Sequence, residues 1–292
     1  MSAGEVMVTI GRHALALDGP LQELLDRLSG IADKRLEQIE VSDFDRFDLL
    51  AIHLSVAKAR CVIDAQAADF WTWEAWVKVM QIGSALFSAG VASPDEVVHF
   101  RVGRESKALP ALGARDYLTA DNWLDSFYLA AICRENKRLQ QLAHIPVSFL
   151  REQSAGVEEY LFSWVEALQN AIRGDGEKMW DSMLAAARQS APEGLEEAER
   201  MKALQLFYPL IDVFRHLMGR DVAEFNTALG KSLDRHKAYW SENDPASVDG
   251  LVALAPLALA CIAHDSDMDL DVESDYLPEN LLIPEWVGEM ET

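Results

Sequence analysis

The stretch richest in potential ligands runs His264-Asp265-Ser266-Asp267-Met268-Asp269-Leu270-Asp271-Val272-Glu273. Alternating carboxylates invite a calcium reading. A calcium-binding helix–loop–helix needs oxygen ligands at loop positions 1, 3 and 5, glycine at 6 and glutamate at 12. Counted from Asp265, position 6 is Leu270 and position 12 is Tyr276, so the motif fails. The alternation instead describes an extended segment, because side chains on a strand point alternately to opposite faces. Met268, Leu270 and Val272 then face inward, and Asp267, Asp269, Asp271 and Glu273 form an acidic ledge. Such a ledge is either a solvated edge or a surface offered to a basic partner. A second acidic group, Glu193, Glu196 and Glu197, falls at the start of an expected long helix, where carboxylates complement the helix dipole.

Other chemistry is hard to find. The seven histidines are scattered, and His216, His236 and His264 each stand alone on their helices. No HExxH, paired CxxC or glycine-rich phosphate loop occurs, nor a G-x-S-x-G elbow. Cys61, Cys133 and Cys261 are far apart, odd in number and set in apolar helical surroundings. That pattern suits buried free thiols in a reducing cytosol better than disulfides. The expectation is a cytoplasmic protein that is not an enzyme and carries no metal or cofactor. The start, MSAGEVMVTI, lacks the basic and apolar regions of a signal peptide.

The elements that position these residues read as helices. The 292 residues are 50% hydrophobic and 25% charged, ample for a core, and no Pro- or Gly/Ser-rich linker divides them. One all-α domain over residues 1–292 is expected, with about nine or ten packed antiparallel helices and an irregular C-terminal tail. Val6 to Ile10 reads as a short extended piece, and Asp18-Gly19-Pro20 as a helix start. Ser42 or Asp43 caps a helix to about Ala65 with Phe44, Phe47, Leu50, Ala51, Leu54 and Ala57 on its buried stripe. Asp69 opens a helix bearing Trp71, Trp73 and Trp76, whose helical spacing favours packing over a ligand cage; Gly90 closes it. Residues 93–116 read as irregular, with EVVHFRV extended. Asp121 caps a helix reaching Leu139. Pro209 kinks a long helix from Pro192 to Met218, and Asp221 caps the next, through Trp240.

The chain is organised around the run Leu251 to Ala263, which has no charged residue. It falls short of the ~20 apolar residues that span a bilayer. A helix apolar all round is buried on every side, so the other helices must cover it. Pro256 is expected to kink it. Ahead of it, His236, Tyr239 and Trp240 share one helical face. After it come Asp275, Tyr276 and Pro278. Both words, HKAYW and DYLP, read as scaffold that packs against the apolar helix and locks the tail.

The net charge is −22. A field of that sign repels nucleic acid and anionic membranes and attracts basic proteins. Solubility alone explains it equally well.

The ordered series DNWLDSFYLAAICRENKRLQQL, LFYPLIDVF, FNTALGKSLDRHKAYW, DGLVALAPLALACIAHD and VESDYLPENLL resembles the bacterial immunity-protein family numbered 49. The likeness is clearest from Asp121 onward; residues 1–120 share only helical character. The resemblance implies an all-α, non-enzymatic protein encoded beside a toxin gene. It would neutralise a cognate toxin of a polymorphic, contact-dependent or type VI system. The acidic charge makes a basic nuclease such as a DNase the leading partner. No binding residues come with the resemblance. A helical adaptor of a secretion or signalling assembly and a hydrolase with dispersed ligands are the alternatives.

Overall fold

A computed structural model describes residues 7–17 and 19–292. Val6 and Asp18, expected at a strand and a helix start, lie outside the described residues. Strand β1 (Val8–Ile10) opens the chain, followed by α1 (Leu21–Glu37), α2 (Asp43–Arg46), α3 (Leu49–Ile63) and α4 (Phe70–Gly90). A hairpin of β2 (Val97–Val102) and β3 (Glu105–Pro110) interrupts the helices. Then come α5 (Ala120–Ile132), α6 (Asn136–Ala143), α7 (Val147–Gln153), α8 (Glu159–Arg173) and α9 (Gly176–Gln189). The last third holds α10 (Glu197–Lys202), α11 (Tyr208–Gly219), α12 (Val222–Asn243), α13 (Leu254–Asp265), β4 (Val272–Ser274) and α14 (Glu279–Leu282). The fold is all-α with two small strand pairs, and its main core runs continuously from Ile10 to Leu281.

Helix α13 is the axis of that core. Leu257, Ala258, Leu259, Ala260 and Cys261 have no exposed surface, and Leu254 has 8%. Helices α5, α11, α12 and α14 pack around it. With the preceding turn the apolar stretch reaches 18 residues, Val248–Asp265, enough by length and composition to cross a membrane, and 67% of it is buried inside the fold. It is two pieces rather than one helix from Val248: a 3-10 turn, Val248–Leu251, and the helix Leu254–Asp265. Pro256 does not kink α13. It occupies the first turn, where its missing N–H has no helical partner to lose.

The words on either side of α13 satisfy its entry. His236 Nε2 meets the Gly250 carbonyl at 3.0 Å, and the Ala253 N–H donates to the Tyr276 carbonyl at 3.3 Å. The Tyr276 ring, fully buried, stands edge-on to His236 at 4.8 Å. Its hydroxyl accepts from the His13 backbone N–H at 2.8 Å and contacts the His13 ring at 2.8 Å. Asp275 accepts from the Arg12 N–H at 3.0 Å, and Ser274 Oγ donates to the Ile10 carbonyl at 2.7 Å. Pro278, buried, precedes the first turn of α14. Strand β4 pairs in parallel with β1, Val8 opposite Val272 and Ile10 opposite Ser274. Chain start and chain end are thus joined over the mouth of α13. Gly250 permits this closeness, because a Cβ there would sit 2.5 Å from Trp240 Cγ.

Several expectations change, each for a local reason. The helix expected from Ser42 breaks after Arg46. Ser42 caps the short α2, Asp48 pairs with Arg35, and α3 restarts at Leu49. The break leaves Phe44 and Phe47 outside the buried stripe, 76% and 57% exposed, with the Arg35 guanidinium over the Phe44 ring. Ala51 is exposed too. Gly90 does not end α4 in a left-handed turn. It is the last helical residue, and a Cβ there would lie 2.5 Å from Leu118 Cδ1, so close packing requires it. Residues 97–110 form a regular hairpin. Thr119, not Asp121, caps α5, and Leu139 lies on the separate α6 because Arg134 turns the chain at φ +58°. These splits give more helices than the nine or ten expected. The long helix starts at Glu197, not Pro192, since Pro192–Gly194 form a 3-10 turn. Pro209 acts through a π turn at Ala203–Phe207, in which the Tyr208 N–H donates to Ala203, five residues back. Proline offers no N–H to the carbonyl four residues earlier, and the widened turn absorbs the mismatch.

Replacing Leu257 by alanine should lower the unfolding free energy by about 2–5 kcal/mol, the cost of a buried leucine cavity. Tyr276→Phe should cost about 1–3 kcal/mol, because the His13 N–H would lose its acceptor in the core. Urea denaturation of both variants checks the pair; a loss at Leu257 below about 0.5 kcal/mol, the range of surface substitutions, would show that α13 is not central.

Candidate functional site

The acidic ledge exists with the expected alternation. Met268 and Val272 are buried, Leu270 is half-buried, and Asp267, Asp269 and Glu273 are exposed. Asp271 is only partly exposed. The segment is held by its backbone: Asn226 on α12 donates to the Asp269 carbonyl at 2.9 Å and accepts from the Asp271 N–H at 2.9 Å. Asp267 itself sits in a left-handed turn, φ +57°, so the extended run starts after it. No side chain of the ledge forms an ion pair among the described residues.

Glu193, Glu196 and Glu197 are exposed in the connection from α9 to α10: Glu193 in the 3-10 turn, Glu196 at the N-cap and Glu197 in the first turn. No hydrogen bond or ion pair joins this group to the ledge among the described residues. The three cysteines are free and buried, and burial pushes the thiols of Cys61 and Cys261 up to about 12. They are apolar filling at neutral pH. Among the described residues, no three of His, Cys, Asp and Glu converge on a point that could hold a metal ion.

Sequence reasoning missed a cleft of about 560 Å³ between α3, α5, α8, the π turn and the α12–α13 entry. Its walls are aromatic: Tyr128, Tyr160, Trp164, Phe207, Tyr239 and Trp240. The π turn places Phe207 against Tyr160 at 4.4 Å and Trp164 at 5.7 Å between ring centres. The Trp164 indole donates to the Tyr128 hydroxyl at 2.7 Å. Three carboxylates, Asp121, Asp125 and Asp249, and two ammonium groups, Lys58 and Lys202, line the same space. Lys58 is already engaged, by the Asp249 carbonyl at 3.3 Å and its carboxylate at 3.4 Å. Asp125 accepts no hydrogen bond and forms no ion pair among the described residues. Burial, reinforced by Asp121 and Asp249 and opposed by Lys58 and Lys202, raises its carboxyl to about 6. His236 on the opposite wall is lowered to about 3, first by burial and then by Lys58 and His13. The only sequence signal was Asp125 at the edge of the buried face of DNWLDSFYLAA, one turn before Tyr128. A larger hollow of about 750 Å³ beside His144 holds Arg173 and Lys178, but Arg173 is bound to the Ala143 carbonyl and Lys178 to Asp175.

The arrangement is an all-α bundle with an acidic edge and an aromatic cleft lined by three carboxylates and two ammonium groups. The family model of immunity protein 49 matches residues 64–281, and the chain belongs to that family. The match begins well before Asp121, so α4 and the hairpin belong to the family region as well. No curated protein and no solved structure matches the chain.

Asp125 carries a stability prediction. Its carboxyl in the fold, near 6, lies above the ordinary 3.8. The folded state therefore holds this proton more tightly, and the group disfavours folding increasingly as pH rises from 3.8 through about 6. Asp125→Asn should raise the melting temperature at pH 7.5 by more than at pH 5. His236 has the opposite sign: its stability is intact above 6.5 and is lost as pH falls toward about 3. Thermal melts across pH test both; an Asn variant less stable than wild type at pH 7.5 would contradict the Asp125 account.

Proposed function

We propose that the protein neutralises a cognate bacterial toxin by stoichiometric occlusion, in the cytoplasm of the producing cell. Membership of the immunity protein 49 family carries the reading. Net charge supports the choice of partner. A toxin that attacks nucleic acid needs basic surfaces to hold phosphates. A chain of net charge −22 can imitate that polyanion and cover the toxin's substrate groove. A basic nuclease, delivered by a contact-dependent or type VI system, is the partner that fits, and nucleic acid and membranes are not. The protein acts by binding, not as an enzyme, and takes no metal or cofactor. Long-range attraction speeds association, which matters when newly made toxin must be silenced quickly.

The ledge at Asp267, Asp269, Asp271 and Glu273 is the steering surface under this proposal, with Glu193, Glu196 and Glu197 as the second. Both are exposed or partly so and carry no internal ion pair among the described residues, which leaves their charge available to a partner.

The test uses the toxin encoded beside this gene. Wild-type protein should form a stable 1:1 complex with it; failure to do so would favour a helical adaptor instead. Neutralising the four ledge residues should lower the association rate and flatten its dependence on salt, with a smaller change in dissociation. An unchanged rate across salt concentrations would remove the ledge from the contact surface.

A further inference from the structure

The cleft around Asp125 has a property that packing does not require. Lys58 holds Asp249, and the Trp164 indole donates to the Tyr128 hydroxyl. Asp121 and Asp125 line the space, and among the described residues neither side chain accepts a hydrogen bond or forms an ion pair. Asp125 is half-buried, and a partly desolvated carboxylate without a partner is a cost to the fold. Its surroundings are suited to a cation. Asp121 lies one turn earlier on α5, and Asp121, Glu158 and Glu199 all bear on the Tyr160 hydroxyl, raising it further beyond the effect of burial. Three carboxylates, Asp121, Asp125 and Asp249, thus line a space with two ammonium groups, of which Lys58 is paired with Asp249. The aromatic walls add faces that attract a cation by their quadrupoles. The volume lies in the range of about 300–1,000 Å³ that takes a small organic molecule, and so a side chain with its flanking backbone.

We propose that this cleft is a socket for an arginine side chain of the partner protein, with the Asp125 carboxylate as its counter-ion and the Tyr128, Trp164 and Trp240 rings as its walls. Arginine fits better than lysine. Its planar fork can bond both carboxylate oxygens at once, and it stacks on aromatic faces at lower desolvation cost. Only the source of the arginine rests on the immunity reading; the cation site rests on the cleft itself. The acidic turn at Glu196 and Glu197 starts the helix whose last residue, Lys202, lines the cleft, so it can guide a basic loop toward the opening. The ledge then steers the encounter and the socket holds the complex.

The probe is a capped Gly-Arg-Gly peptide, titrated by calorimetry at low salt, beside the same peptide carrying citrulline, which keeps the shape and loses the charge. Wild type should bind the arginine peptide saturably. Citrulline should weaken binding roughly ten- to a hundredfold, the worth of a charged hydrogen-bonded pair, and Asp125→Asn should weaken arginine binding by a similar factor. Asp95→Asn, exposed in the turn before β2, should leave peptide binding unchanged. Circular dichroism and thermal melting confirm that each variant is folded. No saturable binding by wild type, or arginine binding by the Asp125 variant within about twofold of wild type, would overturn the socket. The toxin arm separates the two claims. A 1:1 complex with the neighbouring toxin that Asp125→Asn leaves unweakened would overturn the socket as the toxin's seat while the immunity reading stands. Peptide binding without any toxin complex would overturn the immunity reading and leave the cation site standing.

Discussion

The structure depends on covering α13. A helix with no polar face gains stability only where every side meets other apolar surface, and its first N–H groups still need acceptors. The chain meets both demands with distant pieces. Helices α5, α11 and α12 supply the apolar walls. His236 and the Tyr276 backbone meet the polar groups at its entry, and Tyr276 in turn holds His13 near the chain start. The parallel pairing of β1 with β4 follows from that closure, since two such short strands would not hold together alone. At the far end, Arg134 ties the α5–α6 corner to the Leu281 and Leu282 carbonyls and to Asp265.

Much of this was legible because it obeys local rules. Asp69 and Asp221 cap the helices they were expected to cap, and Gly174 ends α8 in the left-handed region. The apolar run announced the core helix by the absence of any charge. The misreadings share one cause. Periodicity reports which residues could share a face, not whether the helix continues between them. Phe44 and Phe47 fit the stripe of α3, yet the chain turns at Asp48 to meet Arg35, a contact between separate elements. Proline at 256 and at 209 look alike in sequence. Their effects differ because one sits in a first turn and the other within a continuous helical run.

The two candidate surfaces divide in the same way. The ledge is a local pattern of alternating residues, so it could be read directly. The cleft is assembled from α3, α5, α8, α12 and a π turn, and none of its residues is unusual in its own segment. Asp125 reads as one more polar residue on an amphipathic helix until its neighbours are in place. A half-buried carboxylate without a partner there is a cost to the fold, and such costs concentrate at functional sites. Under the proposed function the two surfaces suit different stages of one event: exposed charge acts over distance, and the cleft acts on contact.

The central claim is inhibition by occupancy rather than by chemistry. It is tested most directly by titrating the protein into a fixed amount of the neighbouring toxin and measuring residual toxin activity. The account predicts a linear fall to an endpoint at one protein per toxin, unchanged by longer incubation, with the toxin's mass unaltered and its activity recovered on separation. Inactivation by substoichiometric protein, or an endpoint that moves with time, would contradict it.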